Sequence, residues 1–181
     1  MKIKTSIALL VFFLGAGNIY AQHNKLFVGF QPAVTKEKFY NDNEFDVNVF
    51  PLVLQKNLGA NMDVRVVTLA NYFIADSNSG FSDLGLNSIW PYYFLATDSE
   101  ILHGPYVGPL LGFGRNVKND HNTVILGAET GYMFKTSPGK RFTLSIGLQY
   151  GRTYFDYDNG DKIWREHFGL GKINLGWWID L

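Results

Sequence analysis

The sequence predicts an all-β protein, and more specifically an eight-stranded antiparallel up-and-down transmembrane β-barrel. First, large apolar residues alternate with small or polar ones along eight segments that recur about every twenty residues. Second, several segments exceed the five or six residues usual in soluble sheets and reach the roughly 9 to 11 residues of a tilted membrane-spanning strand. Third, aromatic residues make up 16% of the chain, which also has 19 glycines. This composition favours strands with bends and crowded interior positions.

The first 21 residues have the pattern of a secretory signal peptide. Lys2 and Lys4 precede the apolar run IALLVFFLGAG, and Ala21 offers a small residue for cleavage. The run is shorter than the roughly 18 to 20 residues of a helical membrane span, which favours a signal over an uncleaved anchor. Cleavage removes two of the 16 basic residues and none of the 16 acidic ones. The mature chain is then close to neutral, and we expect no nucleic-acid partner.

The rest of the chain, residues 22–181, is interpreted as one barrel domain. It contains no cysteine, which excludes a disulfide-stapled scaffold. The eight predicted strands are residues 26–34, 44–54, 59–73, 84–96, 104–116, 123–136, 141–156 and 164–181.

The connectors between the predicted strands alternate in character. QKN, TDSEILH and SPGK, after the second, fourth and sixth strands, resemble turns or compact links. TKEKFYND, IADSNSGFSD, VKNDH and YDNGDKI, after the odd-numbered strands, are more polar. In an up-and-down barrel all four polar loops lie at the same end, and we expect that end to be the outer one.

The strand RFTLSIGLQYGRTYF illustrates how the two faces are distinguished. Phe142 and Leu144 begin a large apolar face, while Thr143, Ser145 and Gly147 begin a small polar one. The outside of a soluble barrel would be dense in Lys and Glu, but the polar faces of these strands are mostly Gly, Ser, Thr and Asn. They are therefore interpreted as the crowded interior of a narrow barrel. Because buried charges persist only when they are paired, the isolated charges on these faces are predicted to form an ionic network in the lumen: Asp46, Asp63, Arg65, Glu129 and Lys172.

Aromatic residues near the ends of the predicted strands are expected to form belts where headgroups meet hydrocarbon: Tyr72, Trp90, Tyr92, Phe94, Tyr132, Phe134, Tyr154 and Trp177. Arg152 shares the outer face and is expected at the outer rim, where its long stem reaches headgroup phosphates. In the last strand Phe168 has the same parity as Lys172, which predicts a β-bulge at Gly169 and Gly171.

Several phrases resemble the small outer-membrane β-barrel proteins of the OmpA/OmpX-like type: GPYVGPLLGFG, LGAETGYMF, SIGLQYGRTYF and the terminal LGWWIDL. The resemblance implies a location in the outer membrane of a Gram-negative cell, contact with outer-membrane lipid and lipopolysaccharide, and insertion by the barrel-assembly machinery. In that family an alternating final strand that usually ends in Phe or Trp serves as the assembly signal. The alternation is kept here, although the last residue is Leu: Ile173, Leu175, Trp177, Ile179 and Leu181.

The family does not fix a function, because small barrels serve as structural plugs, adhesion surfaces or lipid-modifying enzymes. We predict a structural or surface-interaction role, with no catalytic, cofactor or metal site. The outer loops are the expected contact surface for an unidentified ligand: Lys36, Lys38, Asp42, Asn43, Asp76, Asn78, Lys118, Asp120, Asp161 and Lys162.

Three alternatives stay open at this stage. A lipid A acyl hydrolase or acyltransferase would use Ser77 with Asp76 and either His121 or His167. A soluble periplasmic barrel would bind a lipid inside. A porin-like conducting pore is disfavoured, because an eight-stranded barrel is normally filled by its own side chains.

Overall fold

The computed structural model describes residues 25–35, 41–59, 61–95, 101–136, 141–157 and 159–181. The predicted signal peptide, residues 1–21, lies outside these ranges. Within them every regular element is a β-strand, and no helix is long and apolar enough to cross a membrane. The strands are β1 (Lys25–Phe30), β2 (Val34–Thr35), β3 (Phe45–Asn48), β4 (Leu52–Gly59), β5 (Met62–Ile74), β6 (Gly80–Ile89), β7 (Tyr92–Tyr93), β8 (Gly104–Asn116), β9 (His121–Lys135), β10 (Phe142–Tyr157) and β11 (Lys162–Asp180).

All eleven strands belong to one antiparallel sheet. β1 pairs with β11 on one side and with β4 on the other. From β11 the pairing continues through β10, β9, β8, β6 and β5 to β4. The short β7 lies between β5 and β8, and β2 and β3 extend the sheet beside β5. Eight of the strands therefore have a partner on each side within this one sequence of pairings.

Three of the eight predicted segments are each divided into two strands. Residues 26–34 contain most of β1 and the start of β2, residues 44–54 contain β3 and the start of β4, and residues 84–96 contain most of β6 and all of β7. β4 continues through Gln55, Lys56 and Asn57, so the prediction of a turn at QKN is wrong. Each division contains a proline, namely Pro32, Pro51 or Pro91. Proline has no backbone N–H and cannot donate to a strand ladder, so pairing is interrupted there. The other five segments correspond to β5, β8, β9, β10 and β11, with ends within three residues of the prediction.

The predicted bulge in the last strand is confirmed. Gly147 is opposite Lys172 and Gln149 is opposite Gly169, so β11 has one more residue than β10 between these pairs. Gly171, in the extra stretch, has a φ of 59°, a left-handed conformation that glycine adopts without steric cost. The bulge puts Phe168 on the exposed face while Lys172 stays on the other.

Burial alternates along β10 and the end of β11 as the sequence pattern predicts. On β10, Ser145 and Gln149 are buried while Leu148 and Tyr150, on the other face, are 47% and 64% exposed. At the end of β11, Trp177 is 56% exposed and its neighbour Trp178 is 1% exposed. The sheet therefore has an apolar exposed face and a buried face rich in polar groups.

The expectation of a small, polar buried face was incomplete. A cluster of large apolar side chains also lies on it: Phe27, Val53, Val67, Ile89, Tyr93, Ile101, Leu102, Tyr106, Leu110, Met133 and Trp178. The rings of Phe27 and Trp178 pack with their centroids 5.6 Å apart where β1 pairs with the end of β11. Glycine and serine alone do not fill the space behind a sheet of this size, and these side chains occupy it.

Candidate functional site

The centre of the buried face holds an ion pair between Arg65 of β5 and Glu129 of β9. Both side chains lie at alternating positions of their strands that point away from the exposed face. Arg65 Nη1 is 2.7 Å from Glu129 Oε1, and both side chains are 0% exposed. A pair so completely removed from water needs further hydrogen bonds to be stable. They reach both oxygens of Glu129 and the Nε of Arg65, whereas Arg65 Nη2 has no hydrogen-bond partner among the described residues.

Glu129 receives two more hydrogen bonds. The Tyr106 hydroxyl donates to Oε1 over 2.8 Å, and Gln149 Nε2 donates to Oε2 over 2.6 Å. The amide oxygen of Gln149 lies 3.3 Å from His167 Nε2. Side chains from β8, β9, β10 and β11 are thereby joined around one carboxylate.

Arg65 is linked on its other side to Asp63. Its Nε donates to Gln55 Oε1 over 2.7 Å, and Gln55 Nε2 donates to Asp63 Oδ2 over 2.5 Å. Asn57 Nδ2 donates to the second oxygen of Asp63 over 3.1 Å. We call the connected residues the Arg65–Glu129 cluster: Gln55, Asn57, Asp63, Arg65, Tyr106, Glu129, Gln149 and His167.

Two glycines make room for this cluster. A Cβ on Gly131 would lie 2.6 Å from the Tyr106 hydroxyl, and one on Gly147 would lie 2.9 Å from that hydroxyl and 3.0 Å from the Glu129 carboxyl. The two distances to the Tyr106 hydroxyl are shorter than a carbon atom tolerates without displacing its neighbour. These glycines are the local reason that two long polar side chains fit side by side.

The five charged residues predicted to form one network in the lumen do not all lie together. Asp63, Arg65 and Glu129 belong to the cluster, and Lys172 lies close enough to Glu129 for their charges to interact. Asp46 lies elsewhere and accepts a 2.7 Å hydrogen bond from the Ser82 hydroxyl. Asp46 is paired with Phe73 of β5. Phe73 is eight residues from Arg65, so the two positions are about 26 Å apart along the strand. The prediction of a single network of all five is therefore wrong for Asp46.

The sequence did not predict that uncharged residues belong to the cluster. Tyr106 and Gln149 lie on predicted strands at the parity of the small and charged residues, and this parity is the signal that could have identified them. Gln55 was predicted in a turn but lies in β4. Their partners come from strands far apart in the chain, so the pattern of one strand does not reveal what they bind.

The residues of the hydrolase alternative are dispersed. The His121 ring packs 4.6 Å from that of Tyr157, whereas His167 contacts Gln149. Tyr157 pairs with His121, and Gly151 of the same strand pairs with His167. The two histidines are thus separated by six residues of β10, or about 20 Å.

Asp76 and Ser77, the other residues of that alternative, lie in the loop between β5 and β6. Asp76 accepts a 3.4 Å hydrogen bond from Asn43 Nδ2. The histidine contacts are therefore with aromatic rings and an amide. Among the residues that the structure describes, neither histidine forms the hydrogen bond to a serine that nucleophilic catalysis requires.

The loops that the sequence predicts at the outer end contact one another at a few points. Residues 41–44 and 76–77 line an open cavity of about 280 Å³. Lys118 Nζ donates to the Asn78 carbonyl over 3.0 Å and lies 3.7 Å from the centroid of the Phe73 ring. Lys36 and Lys38, also expected in this surface, lie outside the described residues.

The residues of the predicted assembly signal share the exposed face of the last strand: Ile173, Leu175, Trp177, Ile179 and Leu181. No group of three His, Cys, Asp or Glu side chains that could hold a metal ion occurs in the part of the chain that the structure describes. Comparison of the sequence with protein-family models and curated proteins, and of the structure with solved structures, gave no match.

Proposed function

We propose that this chain is an integral outer-membrane β-barrel protein with a filled polar lumen and a structural or surface-interaction role. One observation carries the proposal: large apolar side chains lie on the exposed face, while charged and amide side chains lie on the buried one. Arg65, Asp63 and Glu129 are 0% exposed, whereas Leu148 and Trp177 are about half exposed. A protein surrounded by water is expected to have the opposite arrangement.

Closure of the sheet is supported by the sequence of strand pairings. Starting at β1, the pairs lead through β11, β10, β9, β8, β6, β5 and β4 and return to β1. Where two neighbours pair with a strand, as β10 and β1 do with residues 175–177 of β11, its backbone groups are satisfied on both sides. This is the condition that lipid imposes on any β structure that crosses it.

Two groups of exposed or half-buried aromatic rings support a membrane-spanning band. At one end the rings of Tyr132 and Phe134 have centroids 4.5 Å apart, and those of Phe142 and Trp177 are 5.0 Å apart. Toward the other end Tyr154 packs 5.0 Å from Trp164. Phe142 and Tyr154 are twelve residues apart, about 40 Å along the strand and about 30 Å along the normal at a tilt of about 40°. This separation accommodates an apolar band of about 25 Å.

The interior favours a closed structural element over a wide pore. The Arg65–Glu129 cluster joins side chains from strands around the proposed barrel. In the proposed orientation Phe27, Met133 and Trp178 of the large apolar cluster fill the end toward the periplasm. Val53, Val67 and Leu110 of the same cluster lie on the outer side of the ion pair. An eight-stranded barrel has room inside for side chains only, and these are the ones that occupy it.

A soluble lipid-binding barrel and a lipid-modifying enzyme are less consistent with the geometry. The first would keep its large apolar side chains off the exposed face, where the described strands have Leu148 and Trp177, and would not bury Arg65 and Glu129 in its interior. The second needs a nucleophile beside a histidine, and the contacts of His121 and His167 are of a different kind. The outer loops, which contain the open cavity of residues 41–44 and 76–77, are the proposed contact surface for a partner.

The test is fractionation of Gram-negative cells that express the full chain. We expect the protein in the outer-membrane fraction, extractable only with detergent, and with different electrophoretic mobility before and after boiling. Sequencing of the mature amino terminus is expected to locate cleavage near Ala21. Recovery of the folded protein from the periplasm in detergent-free buffer would overturn the proposal.

A further inference from the structure

We propose that Ile101 and Leu102 form a stopper that closes the lumen at the end toward the periplasm and is held in place by the backbone of Gly104. Both residues belong to the connector between β7 and β8 and not to a strand of the proposed barrel. The inference rests on the closed barrel of the proposed function and adds a device that controls access to its interior. Its test is the reactivity of a thiol inside the lumen, so it can fail even if the protein is recovered from the outer membrane.

The apolar residues of this connector are divided between exposed and buried positions. Phe94 and Leu95, which follow β7, are 57% and 67% exposed, whereas Ile101 and Leu102 are 3% and 4% exposed. Connecting segments usually run over the surface of a protein, where their side chains stay accessible. The burial of Ile101 and Leu102 indicates that the connector turns back into the protein before β8 begins.

The buried part of the connector packs at one end of the lumen, which the strand register identifies. Ile101 and Leu102 belong to the same large apolar cluster as Met133. Gly104, the first residue of β8, is opposite Met133, which is in turn opposite Ser145 of β10. These positions lie toward the periplasmic end in the proposed orientation. Ile101 and Leu102 therefore complete the apolar layer that closes this end.

Tyr93 connects this apolar layer to the polar residues beyond it. Its hydroxyl lies 3.7 Å from Met133 Sδ and accepts a 3.2 Å hydrogen bond from Gln55 Nε2, which belongs to the Arg65–Glu129 cluster. The Tyr93 and Tyr106 rings have centroids 5.6 Å apart, and the Tyr106 hydroxyl donates to Glu129. The stopper therefore closes the space on the periplasmic side of the Arg65–Glu129 cluster. Its withdrawal gives access to that space, while the cluster still blocks passage through the barrel.

The backbone of Gly104 determines the direction in which the connector enters. Its φ is 105°, in the left-handed region that glycine adopts without steric cost. A Cβ at this position would have Leu95 Cβ as its nearest neighbour at 3.9 Å, an ordinary van der Waals contact. Glycine is therefore required here for its conformation and not for space. The next residue is Pro105, whose ring fixes φ, so the change of direction falls on Gly104.

The closed position is favoured by burial, and the segment is separate from the strand pairing. Removal of two large apolar side chains from water stabilises the closed position. Residues 101–103 belong to no strand that the structure describes, so their withdrawal breaks none of the strand pairs. The segment can therefore leave the lumen without disturbing the sheet around it.

The experiment uses the full mature chain refolded in a neutral detergent. The sequence has no cysteine, so Ser145→Cys introduces a single thiol. Ser145 is 1% exposed and lies opposite Met133. A water-soluble, positively charged methanethiosulfonate is expected to modify this thiol slowly in the parent protein. Ile101→Ser combined with Leu102→Ser is expected to raise the modification rate by more than about tenfold, because the burial that stabilises the closed position is lost.

A matched control separates the stopper from a general loosening of the protein. Phe94→Ser combined with Leu95→Ser makes the same kind of change on the exposed part of the connector and is expected to leave the rate unchanged. Each variant is verified as folded by its electrophoretic mobility before and after boiling. Equal rates in the two double-serine variants, or rapid modification of the Ser145→Cys thiol in the parent protein, would overturn the proposal.

Gly104→Ala tests the role of the backbone without removing a side chain. The added methyl group has room, but alanine at a positive φ is strained, and the strain is relieved when the connector leaves. In the Ser145→Cys background we expect the modification rate to rise about tenfold. Gly80→Ala adds a carbon with nothing within 4 Å and without a positive φ, and it is expected to leave the rate unchanged. Equal rates in the two alanine variants would overturn the role assigned to Gly104.

Discussion

Removal of the negative charge of Glu129 is expected to destabilise the fold more than any other single loss of charge. In Glu129→Gln the guanidinium group of Arg65 stays buried at 0% exposure without the carboxylate that lies 2.7 Å away. Breaking a buried ion pair by removing one partner costs about 3 to 5 kcal/mol. The expected loss in free energy of unfolding is in that range.

The local geometry explains why the amide cannot substitute for the carboxylate. Glu129 accepts from Arg65 and Tyr106 on one oxygen and from Gln149 on the other. A glutamine has one acceptor oxygen, and its NH₂ group must then face at least one of these donors. An unpaired buried polar group costs about 1 to 3 kcal/mol, which accounts for much of the expected effect even apart from the charge.

The assay is reversible urea unfolding of the refolded protein in lipid vesicles, followed by tryptophan fluorescence. Glu166→Gln, on the exposed part of β11, is the matched control and is expected to change stability by less than about 0.5 kcal/mol. Adding Arg65→Met to Glu129→Gln is expected to recover part of the loss, because the unpaired charge is gone. A Glu129→Gln protein as stable as the control would refute the assignment of this ion pair as the centre of the buried face.

Further changes test the exposed face and the packing of the cluster. Leu148→Arg, midway along the proposed apolar band, is expected to cost roughly 2 to 4 kcal/mol in vesicles; Val117→Arg, in an exposed turn, is expected to cost less than about 0.5 kcal/mol in the same urea assay. Equal, small effects would contradict a lipid-facing strand. Gly147→Ala introduces a Cβ 2.9 Å from the Tyr106 hydroxyl and is expected to cost about 1 to 3 kcal/mol by urea unfolding, whereas Gly80→Ala, with nothing within 4 Å, is expected to be neutral.

The alternation of residue types was sufficient to predict the longest strands and their faces. β8 begins and ends where the sequence predicted, and β9, β10 and β11 differ by one or two residues at each end. These strands have no internal break, so a period of two identifies both the strand and the side on which each residue lies. The bulge at Gly171 was also predictable, since the parity of the apolar residues changes there.

The divided strands and the membership of the cluster could not be obtained in the same way. Pro51 and Pro91 interrupt pairing without disturbing the apolar alternation, so the sequence suggested continuous strands across them. Asp46 alternates with apolar neighbours as Asp63 does. However, β3 pairs with the far end of β5 from Arg65, and the Asp46 carboxylate accepts a hydrogen bond from Ser82. Which polar residues meet depends on register between distant strands, and single-strand periodicity contains no information on register.

The central claim is that the exposed apolar face contacts lipid, and two adjacent tryptophans test it most directly. Trp177 is 56% exposed and Trp178 is 1% exposed. Variants that keep only one of the four tryptophans, with phenylalanine at the others, can be refolded in vesicles whose acyl chains carry bromine, a contact quencher of indole fluorescence. The account predicts strong quenching of Trp177 and little quenching of Trp178. Absence of quenching at Trp177, or equal quenching at both positions, would contradict it.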